Sequence, residues 1–336
     1  MLINHVVNHL FVLLVSFFLT ILVAPLIMKI IKQKKAKQEI LSYVTQHNSK
    51  AGVLTMGGVI FAVSAIICAI IFSAEDMLPL LVCLLVSFLY LMVGFYDDYK
   101  KIQGKKNEGL TPKQKLFLQL VIAIGFSVYL YFNNYTFLYI PFIKYTLNLS
   151  WGIIPVSVLA QLYFTNAVNL LDGLDGLCSS ITAIVACFFG AFLCVLGLYA
   201  DLPIANFANL YQNLSVSLFC LVGAILGFIF FNSYPAKIFM GDTGSLFLGG
   251  ILSTFALISG QLIVVAIVGV MYLVDCLSVI IQVLHFKRTG KRVFLMAPLH
   301  HHYEKKGVHE HRIVVGYSLI TVCAGIVVFL LQVVIN

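Results

Sequence analysis

Apolar runs about as long as a bilayer is thick recur along almost the whole chain, and they leave few folds open. A helix needs about 20 apolar residues to cross the hydrocarbon core. Ten stretches qualify: roughly 6–31, 54–73, 77–96, 116–133, 152–170, 178–199, 214–232, 244–259, 262–285 and 313–334. The eighth is short and glycine-rich, and only Ser259-Gly260-Gln261 parts it from the ninth. Lipid offers no partner to an unpaired peptide group, so the simplest structure is a helical bundle. The expected fold is all-α, a single polytopic membrane domain over residues 1–336. Composition agrees: 61% of residues are apolar, 10% are charged and the mean hydropathy is +1.02. Soluble proteins average roughly 45–50% and 25%, so two or three soluble domains are excluded. No Lys or Arg precedes the first run and no small-residue cleavage site ends it, so a cleavable signal is not expected. The eight cysteines lie in or beside apolar runs without a CxxC pair, which predicts buried, inert thiols rather than disulfides or a zinc site.

The basic residues orient the bundle. Lys29, Lys32, Lys34, Lys35, Lys37 and Lys50 surround the first loop, and Lys100, Lys101, Lys105, Lys106, Lys113 and Lys115 fill the third. Lys237 lies on the seventh loop, and Lys287, Arg288, Lys291, Arg292, Lys305, Lys306 and Arg312 on the ninth. Of the 21 basic residues only Lys144 falls on an even-numbered loop, beside the acids Glu75, Asp76 and Asp201 of that side. Odd loops are therefore expected in the cytoplasm and both termini outside. The net charge of +8 then reflects loop topology and not nucleic-acid binding.

Polar residues at the expected cytoplasmic ends carry the chemistry. Asn166, Asn169, Asp172 and Asp175 recur every third residue in NAVNLLDGLDGL. Each such step falls about 60° short of a full helical turn, so the four cannot share one face. Gly173 and Gly176 predict a helix ending near Leu171 with the aspartates on a tight loop. Asp97 and Asp98 follow the third span, and Asp242 starts the eighth in GDTGS, where it is placed to cap the helix. Carboxylates gathered at a basic membrane surface suit Mg²⁺ held together with a substrate phosphate. Lys50, Lys113, Lys115 and Lys237 are the candidate cations beside it. In MAPLHHHYEKKGVHEH, the consecutive His300, His301 and His302 cannot all aim at one zinc ion, and they suit phosphate hydrogen bonding or proton transfer instead. His309 and His311 read as surface residues, and Asp275, mid-span, as a hydrogen-bonded structural group.

Together these segments resemble one family. SKAGVLTMGG, GFYDDYKK, GLTPKQK, NAVNLLDGLDGL, PAKIFMGDTGS and APLHHHYE are similar, in order, to signature segments of the bacterial phospho-N-acetylmuramoyl-pentapeptide transferases. These belong to the polyprenyl-phosphate N-acetylhexosamine-1-phosphate transferase superfamily. Two positions depart from the pattern: Leu54 stands where the family usually has Pro, and Leu171 where this branch usually has Thr. The resemblance implies ten transmembrane helices in the bacterial cytoplasmic membrane. It also implies active-site loops at about 32–53, 97–115, 170–177, 233–243 and 286–312 on the cytoplasmic face. The implied reaction moves phospho-N-acetylmuramoyl-pentapeptide from UDP to undecaprenyl phosphate, with Mg²⁺, releasing UMP and forming lipid I. By the same resemblance Asp242 is a metal ligand, and Asp97 and Asp98 help hold the metal and activate the lipid phosphate. Lys115, His300, His301 and His302 join the catalytic set. Lys50, Thr55, Asn166, Asn169, Asp172, Asp175, Asn232 and Phe239 line the substrate cleft. The partners implied are the UDP-linked donor, undecaprenyl phosphate and membrane lipid, with no nucleic acid; a homodimer is allowed. Two rival readings are a sibling transferase using UDP-N-acetylglucosamine and a membrane transporter.

Overall fold

The computed structural model describes residues 2–33, 52–73, 76–104, 109–143, 145–199 and 207–335. Lys50 and the lysines from Lys34 to Lys37 lie outside the described residues. The chain forms α1 (Leu2–Gln33), α2 (Gly58–Phe72), α3 (Leu78–Gly104), α4 (Pro112–Phe132), α5 (Ile153–Leu171), α6 (Leu177–Tyr199), α7 (Phe207–Asn232), α8 (Gly241–Ile258), α9 (Leu262–Val268), α10 (Val270–Thr289), α11 (Leu299–Lys305) and α12 (Glu310–Ile335). Among the described residues nine helices are long and apolar enough to cross a membrane, and α2 is a shorter apolar helix. The chain is an all-α, multi-pass membrane protein.

The helix most enclosed is α8, in which every residue from Thr243 to Ile258 is buried. It packs against α2, α3 and α5, while α7 joins α1, α2 and α6. Its glycines explain the close fit, because small residues let helix backbones approach in a membrane. A Cβ on Gly249 would lie 2.5 Å from Thr165 Cα, and one on Gly58 of α2 would run into the Gly244 backbone. A helix wrapped by other helices needs no lipid-facing Leu or Ile, which is why this run reads short and weakly apolar. By contrast α1, α4, α10 and α12 expose rows of Leu, Ile, Val and Phe, the side expected to meet acyl chains.

Four expectations need correction. The ninth run is not one helix: it breaks at Gly269 into α9 and α10, where a Cβ would meet the Tyr272 ring and the Val265 carbonyl. The third helix does not stop before Asp97-Asp98 but continues to Gly104. Lys101 sits one turn beyond both acids, and these i,i+3 and i,i+4 pairs favour helix. Between α4 and α5 the chain forms an antiparallel hairpin, β1 (Phe137–Ile140) and β2 (Tyr145–Asn148). Tyr139 of β1 donates its N–H to the Gly260 carbonyl, so the hairpin covers the turn between α8 and α9. Finally, the cysteines are all free, but Cys187 and Cys323 are exposed rather than buried.

Candidate active site

The site gathers where the ends of α3 and α5 meet the starts of α4 and α8. Its centre is Asp242. Gly241 precedes it with φ +69°, a left-handed conformation open to glycine, and a Cβ there would strike the Asp98 carboxylate and Thr55 Oγ1. Asp242 is not the helix cap; it lies in the first turn of α8, and the residue ahead of that helix makes no side-chain cap bond. The capping comes from another helix. Asp98 of α3 accepts from the Asp242 N–H (3.2 Å), the Thr243 N–H (2.9 Å) and the Thr243 hydroxyl (2.6 Å). This satisfies donors that a helix start leaves open and sets a negative charge at the positive end of the dipole. Gly94, one turn before Asp98, lets α3 come this close, since a Cβ there would collide with the Asp242 carbonyl.

Asp97, Asp98 and Asp242 each offer a carboxylate oxygen within 4.8 Å of the others, a group that can hold a metal ion. A cation of the protein already lies among them: Lys101 Nζ is 2.7 Å from Asp97 Oδ2, 2.8 Å from Asp242 Oδ2 and 3.7 Å from Asp98 Oδ1. Lys115 Nζ lies 2.9 Å from the same Asp242 oxygen. The three carboxylates exceed the two ammonium groups by one charge, and an all-oxygen donor set of this kind suits a hard divalent cation. The residues present therefore fit the expected metal.

Local sequence places each partner. Thr111 caps α4 in a reciprocal capping box with Gln114, with Pro112 in the first turn, and Lys115 lies one turn further on. Ahead of it the chain folds over Asp97, whose Oδ1 accepts the Leu110 N–H at 2.5 Å. From α5, Asn169 donates to Asp242 Oδ1 (2.6 Å) and Ser245 Oγ (2.8 Å), and Asn166 donates to Gln119 (2.9 Å). A cavity of about 330 Å³ opens beside these groups, lined by Asp97, Lys101, Lys115, Gln119, Asn166 and Asp242 among others.

The asparagine–aspartate ladder divides as its spacing requires. Asn166 and Asn169 face α4 and α8, whereas Asp172 and Asp175 lie beyond the end of α5. Asp172, half-buried, has its carboxyl pushed well above the usual carboxylate range, by burial first and then by Asp242, Asp98 and Asp175. A folded-state value raised above the unfolded one means the folded protein binds the extra proton, so this group's contribution to stability falls as pH rises from about 4. In Mg²⁺-free buffer Asp172→Asn should therefore raise the thermal midpoint at pH 7 to 8, with the gain vanishing near pH 4. Asp175 accepts the Ala236 N–H at 2.9 Å and so ties the segment after α7 to this loop.

Asn232, buried, accepts from Ser179 (2.7 Å) and donates to the Ile238 carbonyl (3.0 Å). Phe239, half-buried, donates its N–H to Leu54 O and accepts from Gly57 N, both at 2.8 Å. Thr55 is buried beside Gly241 and Asp98. Of the other candidate cations, Lys113 is exposed and Lys237 lies over the Phe230 ring at 5.9 Å, so Lys101 takes the place expected of them. Its signal was its position four residues after Asp97, legible only if α3 continues past the acids. Gln119, buried in the cavity wall with Nε2 unbonded among the described residues, carries no motif that singles it out.

The three histidines start α11 and point three ways. His300, fully buried, contacts Asp275 Oδ2 through Nδ1 at 2.6 Å; His301 Nδ1 is 2.8 Å from Glu304 Oε2; His302 Nδ1 accepts the Leu295 N–H at 3.1 Å. His300 and His301 adjoin Gly173, whereas His302 holds its own loop together. His309 and His311 are exposed, as expected. Gly241→Ala should disrupt the centre of the site through both its φ and its contact with Asp98. We expect about 2 kcal/mol lost, on the order of strain at one left-handed residue, read as a lower melting point in detergent together with lost activity.

A glycosyl transferase family 4 model matches residues 80–260, which span α3 to the turn after α8 and so include all three clustered aspartates. The fold and site thus define a polytopic membrane glycosyl transferase. A Clostridium acetobutylicum phospho-N-acetylmuramoyl-pentapeptide-transferase is 42% identical over 94% of this chain and 96% of its own length. A Bacillus subtilis protein of the same name is 41% identical, over 92% and 93%. The chain belongs to the phospho-N-acetylmuramoyl-pentapeptide transferase family.

Proposed function

We propose that this protein transfers phospho-N-acetylmuramoyl-pentapeptide from its UDP derivative to undecaprenyl phosphate, releasing UMP and forming lipid I for peptidoglycan synthesis. The observation that carries this reading is the convergence of Asp97, Asp98 and Asp242 with Lys101 and Lys115 beside a cavity at one end of the bundle. The same end bears Lys113, Lys287, Arg288 and Lys291, so by the positive-inside bias it faces the cytoplasm of a bacterial membrane. We read α2 as the tenth crossing, which puts both termini outside. A soluble nucleotide arrives there from the cytosol while a lipid phosphate arrives from the bilayer.

Phosphoryl transfer asks mainly for positioning and charge neutralisation. Mg²⁺ held by Asp242, Asp97 and Asp98 would draw charge from the transferring phosphoryl group. Lys101 and Lys115, both against the same Asp242 oxygen, lie where they can exchange its carboxylate for phosphate oxygens. A lipid phosphate oxygen attacks the β-phosphorus, the bond from that phosphorus to the bridging oxygen breaks, and UMP leaves with that oxygen. Asp97 takes the proton of a monoprotonated lipid phosphate, since Asp98 is committed to the start of α8. Asn166, Asn169, Asp172, Asp175, Asn232, Phe239 and Thr55 form the nucleotide's surroundings, and His300 and His301 approach from the side of Gly173.

The reading is tested by offering UDP-N-acetylmuramoyl-pentapeptide and UDP-N-acetylglucosamine separately, with undecaprenyl phosphate and Mg²⁺, and measuring UMP. Release with the first alone is expected. Release with the second alone would reassign the chain to the sibling activity, and substrate flux across vesicles without UMP would make it a transporter.

A further inference from the structure

Asp275 lies in the second turn of α10 and is fully buried, yet it is not isolated. Its Oδ2 meets His300 Nδ1 at 2.6 Å, and its Oδ1 accepts the Tyr317 hydroxyl of α12 at 3.0 Å. An ionised carboxylate only accepts, so His300 must carry its hydrogen on Nδ1 and, when neutral, leave Nε2 as a bare acceptor. Nε2 is buried, has no hydrogen-bond partner among the described residues, and abuts Gly173 in the loop between Asp172 and Asp175. A buried polar atom without a partner is uncommon. This one is turned toward the loop assigned above to the nucleotide, and a Cβ at Gly173 would cover it.

We infer that Asp275 is a positioning residue for the transfer reaction: with Tyr317 it fixes the ring and tautomer of His300 so that Nε2 is presented, as acceptor or after protonation as donor, to the substrate at Gly173. Three elements combine here. Tyr317 anchors the carboxylate from α12, Asp275 reads out from α10, and His300 stands on α11. Carboxylate–histidine pairing of this sort sets which ring nitrogen works and steadies the charged ring when it forms. Glycine at 173 leaves the room this requires. The inference rests on the proposed transferase reading only for the identity of the substrate.

Two measurements test it. In UMP release, Asp275→Asn should lower kcat about 100-fold with little change in KM, because an amide donating to Nδ1 favours the wrong tautomer. Asp275→Glu should recover most of the rate, and Asp275→Asn should cost nothing further in a His300→Ala background. A purely packing role would instead lower the rate by the same factor in both backgrounds, and that result would overturn the proposal. Separately, ring ¹⁵N-labelled histidine, with the His300 signals assigned by their loss in His300→Ala, should show hydrogen on Nδ1 in the unmodified protein and on Nε2 in Asp275→Asn. If Asp275→Asn does not fold, Asp275→Glu should keep hydrogen on Nδ1. Finding it on Nε2 in the unmodified protein or in Asp275→Glu would overturn the proposal. The tautomer needs no substrate, so it decides the role of Asp275 even if the protein releases no UMP and the transferase reading fails.

Discussion

Asp242→Asn is expected to lower turnover about a thousandfold while the protein still folds. The carboxylate is touched by both lysines and by Asn169, and it belongs to the three-acid set that fits a divalent cation. Asparagine keeps the volume and one oxygen, so packing against the Gly94 surface and the course of α8 survive. What goes is the negative charge that would draw a metal and order two ammonium groups. A metal contributes several kcal/mol of charge stabilisation to such a transition state, and about 4 kcal/mol corresponds to about a thousandfold. The check is UMP release at saturating Mg²⁺ beside a melting curve in detergent. Near-normal turnover in the variant would remove Asp242 from the metal set.

Asp98→Asn should lose both activity and stability, which separates it from the first variant. Asp98 is buried, and its two oxygens together take two backbone N–H groups and one hydroxyl at the start of α8. An amide retains one acceptor and turns two hydrogens toward donors. Losing charge-assisted bonds to a helix start costs about 2–3 kcal/mol. Because α8 is enclosed on several sides, a loosened first turn displaces Asp242 with it. Turnover should fall by at least the factor seen for Asp242→Asn, with a melting point several degrees lower. An unchanged melting point would show that the helix start does not depend on this carboxylate.

The bundle was largely legible because the bilayer imposes its length on each run. The end of α5 at Leu171 was legible too, from Gly173 and Gly176. The hidden parts have physical reasons. Hydropathy marks where lipid ends, not where a helix ends, so the part of α3 that carries Asp97, Asp98 and Lys101 beyond the apolar run looks like loop in the sequence. Once those acids are helical, Lys101 follows; without that, it is one lysine among six around a loop. Asp242 looked like its own helix cap, since no local pattern reveals a cap supplied by Asp98 from 144 residues away. Asp275 reads from sequence as a hydrogen-bonded group, but its partners His300 and Tyr317 stand 25 and 42 residues away, on other helices. Lys50 lies outside the described residues and keeps only the role its motif implies.

The account turns on one claim, that the substrate's diphosphate meets a divalent cation among Asp97, Asp98 and Asp242. Electron–nuclear double resonance on protein loaded with Mn²⁺ and UDP-N-acetylmuramoyl-pentapeptide, without lipid acceptor, measures this directly. A ³¹P coupling from phosphate bound to the metal is predicted in the unmodified protein and should be absent in Asp242→Asn. The same coupling persisting at full strength in Asp242→Asn would contradict the account.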